Sequence, residues 1–261
     1  MLRVTTRPPL SPTTLAFDIG GTGLKASVLD GKGRMVHDRV RVPTPYPCPP
    51  KVLLANLRTM AKGLPEFDRV SVAFPGVVRH GKVLSAPNLV RAAGPDSDID
   101  PALVALWHGF DLGRAVERSF RTPTRVLNDA DMQGLDTVKG KGLEVVITLG
   151  TGFGSSVFED GVLGPHLELS HHPFRKGETY DEQLGDVARK RIGRKKWNKR
   201  VAEAIEALDA LLLFDHLYIG GGNTKHLTID LPARVTVIDP NAGLLGAFEL
   251  WKERPRISSG R

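Results

Sequence analysis

Short apolar runs broken by glycine recur along this 261-residue chain in a matched order. Residues 15–18 read as a strand, the corner Gly20-Gly21-Thr22-Gly23 follows, and alternating apolar positions resume over residues 25–29. A tight turn at Asp30-Gly31 and a further alternating strand over residues 35–42 complete a meander. The second half repeats the plan, with a strand over 144–148, the corner Gly150-Thr151-Gly152-Phe153-Gly154, a strand over 155–159 and a turn at Asp160-Gly161. Gly-Thr-Gly starts at 21 and again at 150, and an Asp-Gly turn follows each copy nine or ten residues later. Two glycine-cornered hairpins built alike predict an internal duplication, with two similar lobes facing a central cleft.

Between the hairpins the period lengthens. Val52, Leu53, Leu57 and Met60 form a helical stripe ahead of a strand over 69–74, and Leu103, Leu106 and Val116 mark helical material before a strand over 124–127. Val201, Ile205, Leu208 and Leu212 fall at i, i+4, i+7 and i+11, the stripe of an amphipathic helix. A strand over 216–219 then ends in Gly220-Gly221-Gly222-Asn223, and one over 235–238 passes through Asp239-Pro240-Asn241 into a helix from Ala242. The prolines between 43 and 50 mark a surface loop. Strands and helices alternating within each half predict an α/β protein. The expected division is a flexible arm over 1–14, an N-terminal lobe over 15–127 and a C-terminal lobe over 128–261, its last helix packing back on the first lobe.

Composition narrows the class. Hydrophobic residues at 41% and charged residues at 25% are those of an ordinary globular protein. No apolar run approaches the roughly 18 residues of a membrane span, and residues 1–14, with three prolines, do not read as a secretory signal. Cys48 is the sole cysteine, which excludes an internal disulfide and a multi-cysteine zinc site. A cytoplasmic protein with no membrane partner is expected. Lys and Arg number 36 against 29 Asp and Glu, and the resulting +7 favours a polyanionic ligand.

A glycine corner after a strand lets backbone N–H groups approach phosphate oxygens with no Cβ in the way. Gly20, Gly21, Thr22 and Gly23 make one such corner, with Lys25 just beyond it; Gly150, Thr151, Gly152 and Gly154 make the other. One Gly-Thr-Gly alone is most simply a hairpin turn, but two, each after a strand, point to a site that grips a polyphosphate. Neither ends in the Gly-Lys-Ser/Thr of a Walker A loop. Asp18, at a strand end, is placed to hold Mg²⁺ directly or through water. Asp129 is a candidate base for a sugar hydroxyl; Asn128-Asp129 also suits a helix N-cap, and the two roles are compatible. Asp131 reads as a first-turn carboxylate that favours the helix dipole. Glu168 and His171 are spaced to meet adjacent hydroxyls of a sugar ring. His171 and His172 form a pair without a third ligand, so no zinc site is expected there. Phosphoryl transfer is the chemistry to which these residues point.

Taken in order, the motifs resemble the ROK family (repressor, open reading frame, kinase) of sugar kinases, within the ribonuclease H-like fold of actin-like ATPases and sugar kinases, and among them the polyphosphate glucokinases. The resemblance runs from Leu15 to about Trp251. Its carriers are Asp18-Ile19-Gly20-Gly21-Thr22-Gly23, Ala73-Phe74-Pro75-Gly76-Val77, Pro87-Asn88-Leu89, Asn128-Asp129-Ala130, Leu149-Gly150-Thr151-Gly152-Phe153-Gly154, residues 168–174 and Gly220-Gly221-Gly222-Asn223. It implies that Asn88, Asn128, Asp129, Glu168, His171 and Glu182 bind the sugar, glucose foremost, with Asp129 as base and Mg²⁺ as cofactor. It implies that the two glycine corners hold the transferred phosphoryl group, and that Gly221 and Gly222 lie where nucleotide-using members place adenosine. A homodimer is implied as well. Two departures stand out: the cysteine cluster of a structural zinc is absent, residues 175–180 occupying its region, and Ser170 replaces the usual glycine between Glu and His, which would tighten the sugar pocket.

Eight of the twelve residues over 189–200 are basic. A charge run is usually a solvated helix face. Here no acid interleaves, and Arg191, Lys195 and Lys199 at i, i+4 would repel on one helix. An inorganic polyphosphate along Arg191, Arg194, Lys195, Lys196, Lys199 and Arg200 would offset that repulsion and bind in a salt-sensitive way; similar runs occur in the polyphosphate glucokinases. Nucleic acid is not expected, since Trp197 alone makes no stacking platform and no helix-turn-helix fits before Leu15. The expected activity is phosphorylation of glucose at its 6-hydroxyl by polyphosphate, with ATP the alternative donor. A non-catalytic sugar-sensing regulator is the reading from another class.

Overall fold

Both glycine corners close hairpins at the centre of a sheet. The computed structural model describes residues 12–95, 97–238 and 242–252. Most of the arm expected over 1–14, and the Asp239-Pro240-Asn241 connection, therefore lie outside the described residues. In the first lobe β1 (Thr14–Ile19), β2 (Gly23–Leu29) and β3 (Val40–Pro43) form a meander. There follow α1 (Pro50–Ala61), β4 (Arg69–Phe74), a small hairpin of β5 (Val78–Arg79) and β6 (Lys82–Val83), α2 (Pro101–Trp107), α3 (Leu112–Phe120) and β7 (Thr124–Asn128). The sheet order is β3-β2-β1-β4-β7, antiparallel through the meander and parallel from β1 onward.

After α4 (Asp129–Thr137) the plan repeats. The chain runs through β8 (Leu143–Leu149), β9 (Phe153–Glu159), β10 (Val162–Leu163), a small hairpin of β11 (Pro173–Arg175) and β12 (Glu178–Thr179), α5 (Tyr180–Leu184), α6 (Asp186–Ile192) and α7 (Arg194–Leu212). β13 (His216–Gly220), β14 (Val235–Val237) and α8 (Ala242–Glu249) follow. The second sheet has the order β10-β9-β8-β13-β14. Counted within each lobe, both sheets read 3-2-1-4-5, with the same parallel and antiparallel pairings. The structure thus carries the duplication seen in the glycine corners.

Burial explains why these segments take these forms. β1 and β8 are buried on both faces, as central strands covered by helices are, so they read as continuous apolar runs. β3 alternates between half-buried and exposed, as an edge strand does. Leu53, Leu57 and Met60 of α1 pack on the first sheet, and Trp197, Val201, Ala204, Ile205 and Leu208 of α7 pack on the second. A third apolar cluster draws Ala16 and Ala73 from the first sheet, Val146, Phe158 and Tyr218 from the second, Met132 from α4 and Ala247 from α8. α8 lies against α4 and reaches the first sheet. Ser71 Oγ of β4 donates to the Ala247 carbonyl at 2.7 Å, Trp251 Nε1 donates to Ser71 Oγ at 2.7 Å, and the Arg69 and Arg125 guanidiniums lie over the Trp251 ring. Among the described residues no helix is long and apolar enough to cross a membrane.

Two expectations need correction. The strand expected over 35–42 shrinks to β3. Asp30 accepts hydrogen bonds from the Lys32 and Arg34 backbone and from the Arg34 guanidinium, which ties residues 30–34 into a closed loop. Met35 makes a single bridge to Leu29, and Met35 and Val36 stay half exposed. The basic run is also not one helix. Gly193, at φ +78°, ends α6 and starts α7, so Arg191 does not share a helix with Lys195 and Lys199.

Candidate active site

The cleft is assembled by the ends of four strands. Asp18 is in register with Ala73, and Ala73 with Leu127, so Asp18 and the Asn128-Asp129 pair emerge at the same end of the first sheet. From the second sheet the Gly150–Gly154 corner enters the same space. The result is a cavity of about 370 Å³. Gly20, Gly21, Asn88, Asn128 and Asp129 line one part of its wall. Gly150, Thr151, Gly152, Gly154, Glu168, His171, Glu182 and Arg191 line the rest. Asp18, Thr22, Gly23 and Lys25 are not among the residues of the wall; Lys25 Nζ meets Asp18 Oδ2 at 2.7 Å. Gly221 and Gly222 also lie off the wall. Their loop is tied to the second corner by Asn223, whose N donates to the Leu149 carbonyl and whose Nδ2 donates to the Gly150 carbonyl, both at 2.9 Å.

Each corner is held by hydrogen bonds within it and from outside it. Gly20 N donates to the Gly23 carbonyl, Thr44 Oγ1 to the Gly20 carbonyl, and Tyr46 Oη to the carbonyls of Gly21 and Asn88. In the second corner Phe153 N donates to Asp181 Oδ1 at 2.7 Å. Asn128 caps α4: its Oδ1 accepts from Ala130 N at 2.8 Å and Asp131 N at 3.2 Å, while its Nδ2 donates to the Gly76 carbonyl at 3.0 Å. That cap presents Asp129 at the first residue of the helix, facing the cleft.

The electrostatics of the floor are unusual. Burial pushes Asp129 up to about 7, helped by the charges of Asp18, Glu168 and Asp131 and opposed by the Ala130 N–H. A carboxylate at that value can both hold and release a proton near neutrality. Burial also opposes the charge of Glu168, but hydrogen bonds from His166 and Ser170 hold its carboxyl below the usual range. Burial raises Asp181 as well, with Phe153 N–H pulling the other way.

Glu182, expected at the sugar, lines the cavity and also caps a helix. Its Oε2 accepts from Thr179 N at 2.8 Å while Thr179 Oγ1 accepts from Glu182 N, a capping box at the start of α5. The sequence Thr179-Tyr180-Asp181-Glu182 carries that signature, and it is the signal that points to the neighbour: Asp181, not Glu182, reaches the second corner. Arg91, Glu178 and His166 are the other site residues the sequence reading passed over. Arg91 lines the cleft beside Asn88 and donates from Nη1 to the Ser97 carbonyl at 2.6 Å. His166, Glu168 and Ser170 lie in irregular backbone leading into the short 3-10 turn Leu169–His171, where hydrogen bonds to the Glu168 carboxylate bring them together.

The basic run divides into two parts. Arg189 and Lys190 pair with Asp186 at 2.6 Å each, and Arg191 meets Glu178 at 3.4 Å on the cleft wall. The acids that the local sequence lacks are thus supplied from earlier in the chain. Beyond Gly193, Arg194, Lys195, Lys196 and Lys199 are exposed and form no ion pair among the described residues. Arg194, Lys195 and Lys199 line a separate groove with Asn198, Thr228 and Ile229, whereas Lys196 and the half-buried Arg200 do not. Buried Trp197 anchors this face by donating from Nε1 to the Leu184 carbonyl at 2.9 Å.

Known proteins share this architecture. A polyphosphate glucokinase of Mycobacterium tuberculosis (strain CDC 1551 / Oshkosh) is 29% identical over 247 residues, covering 88% of each chain. The crystal structure of an inorganic polyphosphate/ATP-glucomannokinase from Arthrobacter sp. strain KM is similar with a TM-score of 0.77 at 28% identity, over 91% of this chain and 97% of that one. A ROK family glucokinase from Streptomyces griseus, in complex with glucose and AMPPNP, shares the fold at 20% identity with a TM-score of 0.67, over 91% of this chain and 98% of its own. The fold is that of the actin-like ATPases and sugar kinases, with two sheet-containing lobes. The ROK family model matches residues 14–174, and with the duplicated sheets and the cleft between the glycine corners this makes the chain a member of the ROK family.

Proposed function

We propose that this protein transfers a phosphoryl group from inorganic polyphosphate to the 6-hydroxyl of glucose. The observation that carries the reading is the conjunction, in one cleft, of a carboxylate near 7 with two glycine corners, together with a separate groove lined by basic side chains. Arg191 stands on the cleft wall, and Arg194, Lys195 and Lys199 line the next groove. The names of the similar proteins support sugar phosphorylation and the choice of donor.

In this reading Asn88, Glu168 and His171 hold the sugar beside Asp129. Asn128 serves chiefly as the cap that aims Asp129. The 6-oxygen attacks the terminal phosphorus, the phosphoanhydride bond breaks, and Asp129 takes the hydroxyl proton. The products are glucose 6-phosphate and a polyphosphate shorter by one unit. The N–H groups of Gly20, Gly150 and Phe153 are engaged within the protein, so in this reading Gly21, Thr151 and Gly152, on the cleft wall, present the corners' backbone to the phosphoryl oxygens. Mg²⁺ suits Asp18, directly or through water, since Mg²⁺ takes one or two carboxylates alongside substrate phosphates, and the charge of Asp18 is near enough to raise the neighbouring base Asp129. When bound it neutralises phosphate charge. Lobe closure over the sugar would exclude water.

ATP is the second donor to consider, because the Gly220–Asn223 loop is hydrogen-bonded to the second corner and so abuts the phosphate end of the cleft. Initial rates of glucose 6-phosphate formation with polyphosphate and with ATP, at matched terminal phosphate and with Mg²⁺, decide between them. Faster transfer from polyphosphate is expected, with selective loss when Arg194, Lys195 and Lys199 are neutralised. Transfer from ATP alone overturns the donor assignment, and no sugar phosphorylation from either overturns the whole reading.

A further inference from the structure

His166 takes no part in the mechanism above, yet it occupies a costly position. Its side chain is only 12% exposed and lies between two carboxylates, with Nδ1 3.0 Å from Asp131 Oδ2 and Nε2 3.4 Å from Glu168 Oε2. Ser170 Oγ donates to the other oxygen of Glu168. Both oxygens of the sugar-facing carboxylate are therefore engaged from the protein side. Asp131, almost wholly buried, sits in the first turn of α4, two residues beyond Asp129, and that turn is fixed by the Asn128 cap. A continuous chain of contacts thus runs from Glu168 through an imidazole to the helix that carries the base.

We propose that His166 is a positioning residue, bridging Asp131 and Glu168 so that the sugar-binding carboxylate and the helix of Asp129 form one rigid unit, an inference that rests on the sugar-kinase reading of the cleft.

Three lines support it. Both ring nitrogens face carboxyl oxygens, and when both carboxyls are ionised only the imidazolium can donate to both. Burial disfavours that charge, but hydrogen bonds to Asp131 and Glu168 override it and push His166 up to about 10. Without a cation here, the carboxylates of Asp131 and Glu168 would lose the positive group set between them, and Glu168 would swing off its geometry or take up a proton. An ionised Glu168 keeps only acceptor sites, so a sugar meets it through hydroxyl donors. Ser170, in place of the glycine usual at this position of the motif, adds the second restraint on the same carboxylate.

The test is steady-state kinetics on the full chain, with glucose varied at saturating donor, then donor varied at saturating glucose. His166→Ala is expected to raise the KM for glucose about 10- to 100-fold, with a smaller fall in kcat and a donor KM within about twofold of wild type. His166→Gln, which keeps one donor, should fall between. Ser170→Ala reads the same carboxylate without touching the buried pair, and keeps the test open should the alanine variant fail to fold. In a Glu168→Ala background, which removes the acceptor altogether, His166→Ala should add no further loss of glucose affinity. A purely structural histidine would raise both Michaelis constants together and keep its effect in that background. Either result, or an unchanged glucose KM in both His166→Ala and Ser170→Ala, overturns the inference alone. Wild-type protein that phosphorylates no sugar removes the kinase reading and this inference with it.

Discussion

Asp129 offers a quantitative test of the mechanism through pH. With its carboxyl at about 7 instead of the ordinary 3.8, protonation competes with catalysis in a range where most carboxylates are indifferent. At pH 6 a group titrating at 7 is ionised in about one molecule of eleven, whereas one at 3.8 is ionised in about 99%. If Asp129 accepts the hydroxyl proton, kcat/KM for glucose at pH 6 should be about a tenth of its plateau above pH 8. Phosphate groups of the donor also titrate, so a second variable is needed. Asp18 is the largest charge contributor to the rise after burial itself, and Asp18→Asn should therefore move the acid limb to lower pH while lowering the plateau. A limb due to the donor would not move with residue 18. The assay is glucose 6-phosphate formation from pH 5.5 to 9 at fixed ionic strength in both proteins. A flat profile down to pH 5.5, or a limb identical in the two, refutes the base assignment. A thermodynamic corollary has the opposite sign. A raised carboxyl costs the fold its stability as pH climbs from the unfolded value through 7, so Asp129→Asn should melt higher than wild type at pH 8 while losing about 10²–10⁴ in turnover.

Two further outcomes follow from the cleft and its groove. Neutralising Arg194, Lys195 and Lys199 together should lower the slope of log affinity for polyphosphate against log salt by about 2, at roughly 0.7 per contact on a flexible polyanion, with the KM for ATP unmoved; an unchanged slope would make the groove a solvated face. Gly152→Ala would set a Cβ 2.3 Å from Asp181 Oδ1 and displace the acceptor of Phe153 N–H, so a stability loss of about 1–3 kcal/mol by thermal melting and a raised donor KM are expected with sugar affinity retained.

The parts of the fold that were legible in the sequence are those set by local signals. Glycine corners, Asp-Gly turns and central strands such as 15–18 and 144–148 are written in a few consecutive residues, and the structure returns them nearly in place. Met35 and Val36 mislead because alternation alone cannot say whether a partner strand is free; the loop closed by Asp30 takes that freedom away. The basic run looked unrelieved because Asp186 lies just before it and Glu178 arrives from another element. At the site, Asp18, Asn88 and Asp129 could be singled out from motifs, but their convergence depends on strand register, which no short window contains. His166 and Arg91 were passed over for the same reason: each is defined by partners that tertiary structure supplies, 35 residues away for the His166–Asp131 contact.

The return of α8 to the first sheet bears on how the molecule comes into being. Synthesis delivers β1 and β4 early, yet Ser71 and Ala73 acquire their neighbours in α8 and Trp251 only after the whole second lobe has been made. The first lobe is therefore unfinished while the second folds, and neither its apolar face nor Ser71 Oγ has its final partner until then. Such a chain cannot mature as two independent beads on a string. A premature stop just before residue 242 would leave a nearly full-length product whose first-made half is the part left open.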